Sequence, residues 1–256
     1  MTRPVTYEYP LNERIRTFLR LEFLFDQIAY CLTGDSPWQT RGAIQALHQI
    51  LEVLGRIDIK SELLKELERN AEALDRWRER PGVDAAALDD VLARLQAVSA
   101  RLHGDERPFA QALKENEFLA SIRNRSSIPG GTCAFDLPAY HYWLERPSRT
   151  RRAEIAPWLE PLEPLGEGIA LLLGLLRDSA QGRRVRAEGG SYSATLDTER
   201  PCHLLRIQLP REARVFPEIS GGRHRFAIRF LELPGDGGRP RAVEADIEFR
   251  LACCQI

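Results

Sequence analysis

The sequence predicts an α+β protein, with an N-terminal all-helical domain over residues 1–182 followed by a small antiparallel β-sheet domain over residues 183–256. Three observations predict it. Apolar residues recur at helical spacing between about Leu11 and Ser179. From Arg183 onward the period changes to two. Glycine-rich breaks at Gly189-Gly190, Ser220-Gly221-Gly222 and Gly235-Asp236-Gly237-Gly238 then divide the remainder into short alternating segments.

The first helix is expected from about Leu11 to Leu32, with Ile15, Phe18, Leu21, Phe25 and Ile28 on one face. Ser36-Pro37-Trp38-Gln39 reads as a capping box with proline at the first helical position, opening a helix that ends near Gly55. A third helix spans about Ile59 to Arg78 with Leu63, Leu67, Leu74 and Trp77 inward, and Pro81-Gly82 stops it. Asp84 can cap a fourth, whose stripe is Leu88, Val91, Leu92, Leu95, Val98 and Leu102. A fifth is expected from about Pro108 to Asn124. After the break Ser126 to Gly131, Asp136 and Ser148 are candidate caps for two further helices. The last helix, about Leu162 to Ser179, is apolar on more than one face and is therefore expected to be buried.

Strands are expected over Ser191 to Leu196, Cys202 to Leu209, Arg225 to Leu233 and Val243 to Cys253. In the last of these Val243, Ala245, Ile247, Phe249 and Leu251 face one way, and Glu244, Asp246, Glu248 and Arg250 the other. One apolar and one wet face argue an antiparallel sheet. Residues 3–9 also alternate and could join the β domain as an extra strand.

Composition narrows the function. The 256 residues carry 36 basic and 37 acidic side chains, with 43% hydrophobic and 29% charged residues. That is an ordinary globular balance, so disorder throughout is excluded. The longest apolar run, Ile169 to Leu176, is interrupted by Gly174 and falls short of the roughly 18 residues a membrane span needs. The N-terminus lacks an apolar signal-peptide core, so a cytoplasmic location is expected. The scattered, odd-numbered cysteines (Cys31, Cys133, Cys202, Cys253 and Cys254) suggest neither a disulfide framework nor a zinc site, and no cofactor or metal is expected.

Enzyme signatures are weak. Pro129-Gly130-Gly131 lacks the spacing of a phosphate-cradling loop and reads as a turn. Cys133, Asp136 and His141 could form a nucleophile, orienting acid and base. Nothing in their spacing requires it, and the simpler reading is a capping Asp136 with His141 packed beside it.

Arginine placement says more. Of the 36 cations 33 are arginine, and residues 181–256 carry 13 Arg against 10 acids. Each guanidinium can grip a carboxylate with two parallel hydrogen bonds. An overall charge of −1 argues against a nucleic-acid binder all the same. Arg16 and Arg20 lie one helical turn apart on a face with Asn12, a repulsive arrangement that either an anion or an internal partner such as Glu13 would relieve. Arg149, Arg151 and Arg152 sit near the start of a helix, where the backbone dipole disfavours cations. Arg56, Arg123 and Arg125 lie near helix ends, where the dipole favours them. In Arg225 to Phe230, alternation sends Phe226, Ile228 and Phe230 to one face and Arg225, Ala227 and Arg229 to the other. The two guanidiniums then stand roughly 7 Å apart, suited to a carboxylate-bearing peptide or to phosphates. Cross-strand pairing with Glu244, Asp246 or Glu248 is the competing explanation.

Together, Pro10-Leu11-Asn12-Glu13, Glu22-Phe23-Leu24, Glu62-Leu63-Leu64-Lys65-Glu66-Leu67, Ser127 to Gly131 with Cys133, Phe135 to Pro138, His141, Ile219-Ser220-Gly221, Arg225 to Phe230 and Leu251 to Cys254 resemble the ZapD family of bacterial cell-division proteins. The resemblance implies a non-enzymatic homodimer with a helical and a β domain. It implies binding of the C-terminal tail of the tubulin-like GTPase FtsZ in a positive pocket. It further implies cross-linking and bundling of FtsZ filaments at the division site, without a membrane or nucleic-acid partner. Carried over by position, the tail-binding candidates are Arg20, Arg56, His141, Arg225 and Arg229, with Arg16, Arg123 and Arg125 in support. Glu117 stands where relatives can carry an arginine, which subtracts a cation from that edge. An acidic-peptide or nucleic-acid adaptor with another partner is the alternative.

Overall fold

A computed structural model describes residues 4–78, 80–104, 111–235 and 237–255. The chain opens with strand β1 (Val5–Pro10) and continues through α1 (Glu13–Thr33), α2 (Pro37–Arg56), α3 (Ile59–Asp75), α4 (Ala85–Gly104), α5 (Gln111–Lys114), α6 (Glu117–Ser126), α7 (Pro138–Leu144), α8 (Ser148–Leu159) and α9 (Glu163–Asp178). Strands follow: β2 (Arg183–Ala187), β3 (Ser191–Thr195), β4 (Leu204–Leu209), β5 (Val215–Gly221), β6 (Arg225–Glu232), β7 (Arg241–Ala242) and β8 (Ile247–Cys254). The fold is thus α+β, with one strand, then the helices, then the remaining strands. Two compact units divide the chain: one of Met1–Leu19 and Leu173–Ile256, the other of Arg20–Leu172.

The helical unit is built on caps and stripes. The Ser36 capping box is present on both sides, its hydroxyl taking the Trp38 amide and the Gln39 side chain returning to the Ser36 amide at 3.1 Å. Asp84 accepts from the Ala86 and Ala87 amides at 3.0 and 3.1 Å. The stripes Leu63–Leu67 and Leu88–Leu92–Leu95–Val98–Leu102 are buried. Two expected caps fail. Leu137, not Asp136, precedes α7, and Asp136 instead takes the Cys133 thiol at 3.4 Å and Arg125 at 3.8 Å. Pro147 precedes α8, and the Ser148 hydroxyl reaches Asp35 at 2.7 Å. The third helix ends at Asp75, leaving Trp77 45% exposed rather than inward. The expected fifth helix is two: Asn116 caps α6 by accepting from the Leu119 amide at 3.0 Å and so separates it from α5. Residues 108–110 of that expectation lie outside the described residues.

The three arginines at the start of α8 gain a physical explanation. Arg151 is 3% exposed and donates to the carbonyls of Leu144, Arg146 and Asp35 and to the Thr40 hydroxyl. Arg152 donates to the Leu32 carbonyl at 3.0 Å and pairs with Asp35. These cations complete the carbonyl-rich ends of α7 and α1, which outweighs their position at the start of their own helix.

The β unit is a sandwich rather than one sheet. One sheet runs β1-β4-β8-β2, the other β3-β6-β5 with β7 beside β6, and every described pairing is antiparallel. The inner faces share one apolar core of Leu205, Ile207, Phe226, Ile228, Phe230 and Phe249 among others. The rings of Phe230 and Phe249 meet at a 60° tilt with centroids 5.1 Å apart. The N-terminal segment pairs with β4, Val5 opposite Leu209 and Pro10 opposite Leu204. The final strand begins at Ile247, so Ala245 is exposed instead of facing the core. β5 was not foreseen from the sequence, because Pro217 interrupts it; proline is tolerated there since β5 is the sheet edge. The turn around Asp236 lies partly outside the described residues.

Candidate functional site

Strand β6 carries the site in the β unit. Phe226, Ile228 and Phe230 are buried at 3%, 0% and 0%, while Arg225 and Arg229 are exposed on the opposite face. The neighbouring strands give this face its character. Across from Arg225 stands Thr195, across from Ala227 stand Ser193 and Ser220, and across from Arg229 stand Ser191 and Glu218. The face is therefore a patch of hydroxyls with two guanidiniums and one carboxylate.

The two arginines differ in what they already hold. Arg229 is gripped by Glu218. Arg225 forms no ion pair among the described residues; only its backbone carbonyl is used, by the Gly222 amide at 3.0 Å. The competing explanation, pairing with acids of the last strand, does not hold in the form expected. Asp246 binds Arg186 at 3.0 Å, and Glu248 faces Arg186 in the other sheet. The acid that pairs is Glu218 on β5.

A concavity of about 730 Å³ opens at this end of the face, bordered by Ser193, Thr195, Ser220, Arg223, His224 and Arg225. Its floor depends on Gly221, where a Cβ would stand 2.8 Å from the Phe226 Cβ and 3.1 Å from Leu11. The first distance is too short for a side chain and the second is tight, so glycine lets β5 approach β6 here. Arg223, His224 and the hydroxyl row were missed in the sequence. The alternation of Ser191-Tyr192-Ser193-Ala194-Thr195 was the available signal for the row.

Arg16 lies in the same unit but is occupied. It donates to Glu13 at 3.1 Å and to the Pro10 carbonyl at 3.4 Å, and stacks on Tyr9 at 5.7 Å. Asn12, read as part of an anion-binding face, accepts from the Ile15 amide at 2.8 Å at the start of α1 and meets His203 at 3.0 Å.

The remaining candidates belong to the helical unit. Arg20 is exposed on α1 with no ion pair or hydrogen bond among the described residues. Arg56 in the last turn of α2 pairs with Glu52 one turn earlier. His141 is exposed on α7. Arg123 and Arg125 end α6, where the helix dipole favours them, and Arg125 stands 3.8 Å from Asp136. Glu117 is exposed in the first turn of that helix. No cluster able to hold a metal ion occurs among the described residues.

Similarity to known proteins covers both units. The family model described as ZapD, cell division protein, matches residues 19–229. The chain is 44% identical over 256 residues to the cell division protein ZapD of Methylococcus capsulatus, with 100% of each chain covered. It is 44% identical over 252 residues to that of Aromatoleum aromaticum, covering 98% of each, and 45% identical over 253 residues to that of Ralstonia nicotianae, covering 98% of this chain and 100% of the relative. A match of this extent, spanning the arginine-bearing strand and the helices alike, shows that the chain belongs to the ZapD family of cell division proteins.

Proposed function

We propose that this cell-division factor binds the C-terminal tail of FtsZ through its exposed cations and, as a homodimer, cross-links and bundles FtsZ filaments at the division site. The observation that carries the reading is Arg225: an exposed guanidinium without an acidic partner among the described residues, beside a hydroxyl-lined concavity. An acidic residue of the tail takes the Arg225 fork, and the hydroxyls of Ser193, Thr195 and Ser220 supply further hydrogen bonds. Arg229 contributes at the cost of its pairing with Glu218. Both partners are more than half exposed, at 64% and 52%, so that pairing is worth about 0.2–1 kcal/mol and is readily exchanged for a ligand carboxylate. Arg20 and Arg56 add cationic character to the helical unit, and His141 adds an exposed hydrogen-bonding ring.

A charge-assisted hydrogen bond contributes about 1.5–3 kcal/mol. A few of them, offset by ordering of the tail, give an affinity of roughly 1 μM. Polymer targets make this sufficient. Two sites in a dimer raise avidity by about 10²–10⁴ over one, and only a two-site particle joins two filaments. The function requires no chemical step and no cofactor. Co-sedimentation tests it: the protein should pellet with FtsZ filaments and bundle them, and should do neither with FtsZ lacking its tail.

A further inference from the structure

The Ser127-Ile128-Pro129-Gly130-Gly131 motif takes no part in the site described above, yet it forms one wall of a second cavity of about 590 Å³ within the helical unit. The opposite wall is the first half of α2, from Trp38 to His48. The motif is wound by its own bonds: the amides of Ile128, Gly131 and Cys133 donate to the carbonyls of Arg125, Ile128 and Gly130 at 2.9–3.1 Å. A Cβ at Gly131 would stand 2.5 Å from the Arg125 carbonyl oxygen, so the turn closes only around glycine. This wall is therefore preformed.

Arg41 projects from α2 into the cavity and is held on three sides. Its guanidinium carbon lies 4.8 Å from the Tyr140 ring centroid and 5.4 Å from that of Trp38. One terminal nitrogen donates to both the carbonyl and the hydroxyl of Thr132 at 3.1 Å. No acid pairs with Arg41 among the described residues, and its Nε and other terminal nitrogen carry no hydrogen bond there. A cation has been fixed in place with one edge of its fork open.

A second polar group of the lining, beside Gln45, Ser126, Ser127 and Thr132, is His48, 9% exposed. Its Nε2 is enclosed without a hydrogen-bond partner among the described residues, while the Leu119 backbone hydrogen-bonds the ring. Burial, aided by the Arg123 cation, lowers the His48 pKa and so favours the neutral ring. The floor is apolar, with Ile44 and Ile122 buried at 1% and 3%. Two large apolar side chains of the lining are exposed at the mouth, Trp38 at 78% and Ile128 at 46%, beside the exposed Gln45, Ser126 and Ser127.

We propose that this cavity is a second peptide-docking site, which receives an acidic residue and its apolar neighbour from an extended segment of a partner protein. The carboxylate takes the open edge of Arg41, and the apolar side chain covers Trp38 and Ile128. A planar fork with one open edge matches a carboxylate. The two apolar side chains at the mouth have no use for a bare phosphate. The proposal does not depend on tail binding at Arg225.

The indole N–H resonance of Trp38, assigned with Trp38→Phe, reads the site in the full chain. N-acetyl-aspartyl-leucinamide should shift it saturably in the roughly millimolar range or tighter, and N-acetyl-asparaginyl-leucinamide should bind at least about tenfold more weakly. Arg41→Gln should remove the preference, and Arg41→Lys, a milder change, should weaken it. Arg225→Glu should leave it intact, so failure of the tail site and failure of this pocket are separately visible. No saturable shift, equal binding of the two dipeptides, or an equal response to inorganic phosphate would overturn the proposal. The dipeptide comparison needs no variant and stands even if Arg41→Gln does not fold.

Discussion

Glu218 on β5 stands directly across from Arg229 on β6 and holds its guanidinium, while the position across from Arg225 on β3 is Thr195, which cannot neutralise a cation. Two arginines that alternation places together therefore differ in what they already hold. An incoming anion would find Arg225 unpaired among the described residues, and would have to displace Glu218 from Arg229.

This asymmetry predicts a gain as well as a loss. Glu218→Gln should strengthen binding of an FtsZ tail peptide by several-fold, because the intramolecular competitor for Arg229 is gone and its worth is about 0.2–1 kcal/mol. Fluorescence anisotropy with a labelled tail peptide reads it. Weaker binding in this variant would show that Glu218 positions Arg229 rather than competing for it.

Salt dependence follows from exposure. Charges on an open face are screened over about 8–10 Å at physiological ionic strength. Tail affinity should fall steadily as salt is raised from low to physiological levels and beyond. An affinity indifferent to salt would assign recognition to apolar contacts.

Gly221 predicts a coupling between packing and binding. Gly221→Val places a side chain where only 2.8 Å separates its Cβ from that of Phe226. Overpacking of this kind costs about 1–3 kcal/mol. The melting temperature should drop by several degrees, and tail binding should weaken because β5 is pushed from β6. Wild-type melting and binding in this variant would contradict the close approach.

Arg151 should matter for stability alone. Arg151→Leu leaves the buried Leu144 carbonyl and the part-buried Arg146 and Asp35 carbonyls without their donor. A buried group left so costs about 1–3 kcal/mol, so thermal denaturation should reveal a loss of at least about 1 kcal/mol. A variant as stable as the parent would mean that water replaces the guanidinium.

His48 predicts the direction of a pH effect. Its folded-state pKa lies below the ordinary 6.5, chiefly through burial and secondarily through Arg123. The unfolded chain thus binds the proton more readily. The stability that depends on neutral His48 is present above pH 6.5 and is lost as pH falls from there through the folded-state value. His48→Gln should shrink the difference in melting temperature between pH 7.5 and pH 5.5, a range that crosses the upper edge of that window at pH 6.5. An unchanged difference would place the pH sensitivity elsewhere.

Much of the fold was legible because its signals are local. The Ser36 box, the Asp84 cap and the two-residue period of Arg225 to Phe230 each sit within a few residues of what they determine. Asp136 and Ser148 misled because short polar residues before a helix have other uses, and here Arg125, Cys133 and Asp35 claim them. The partner of Arg229 was illegible for a different reason. Pro217 hides β5, and with β5 hidden Glu218 has no strand from which to reach Arg229. Arg41 gave no sequence signal either, since its neighbours Tyr140 and Thr132 are distant in the chain.

The central claim is that Arg225 anchors the FtsZ tail. Equilibrium anisotropy of a labelled tail peptide against the parent protein and Arg225→Glu, with circular dichroism on both, tests it most directly. The account predicts roughly micromolar binding by the parent, no measurable binding by Arg225→Glu, and identical helical signal and melting. Equal peptide affinity in the two folded proteins would contradict it.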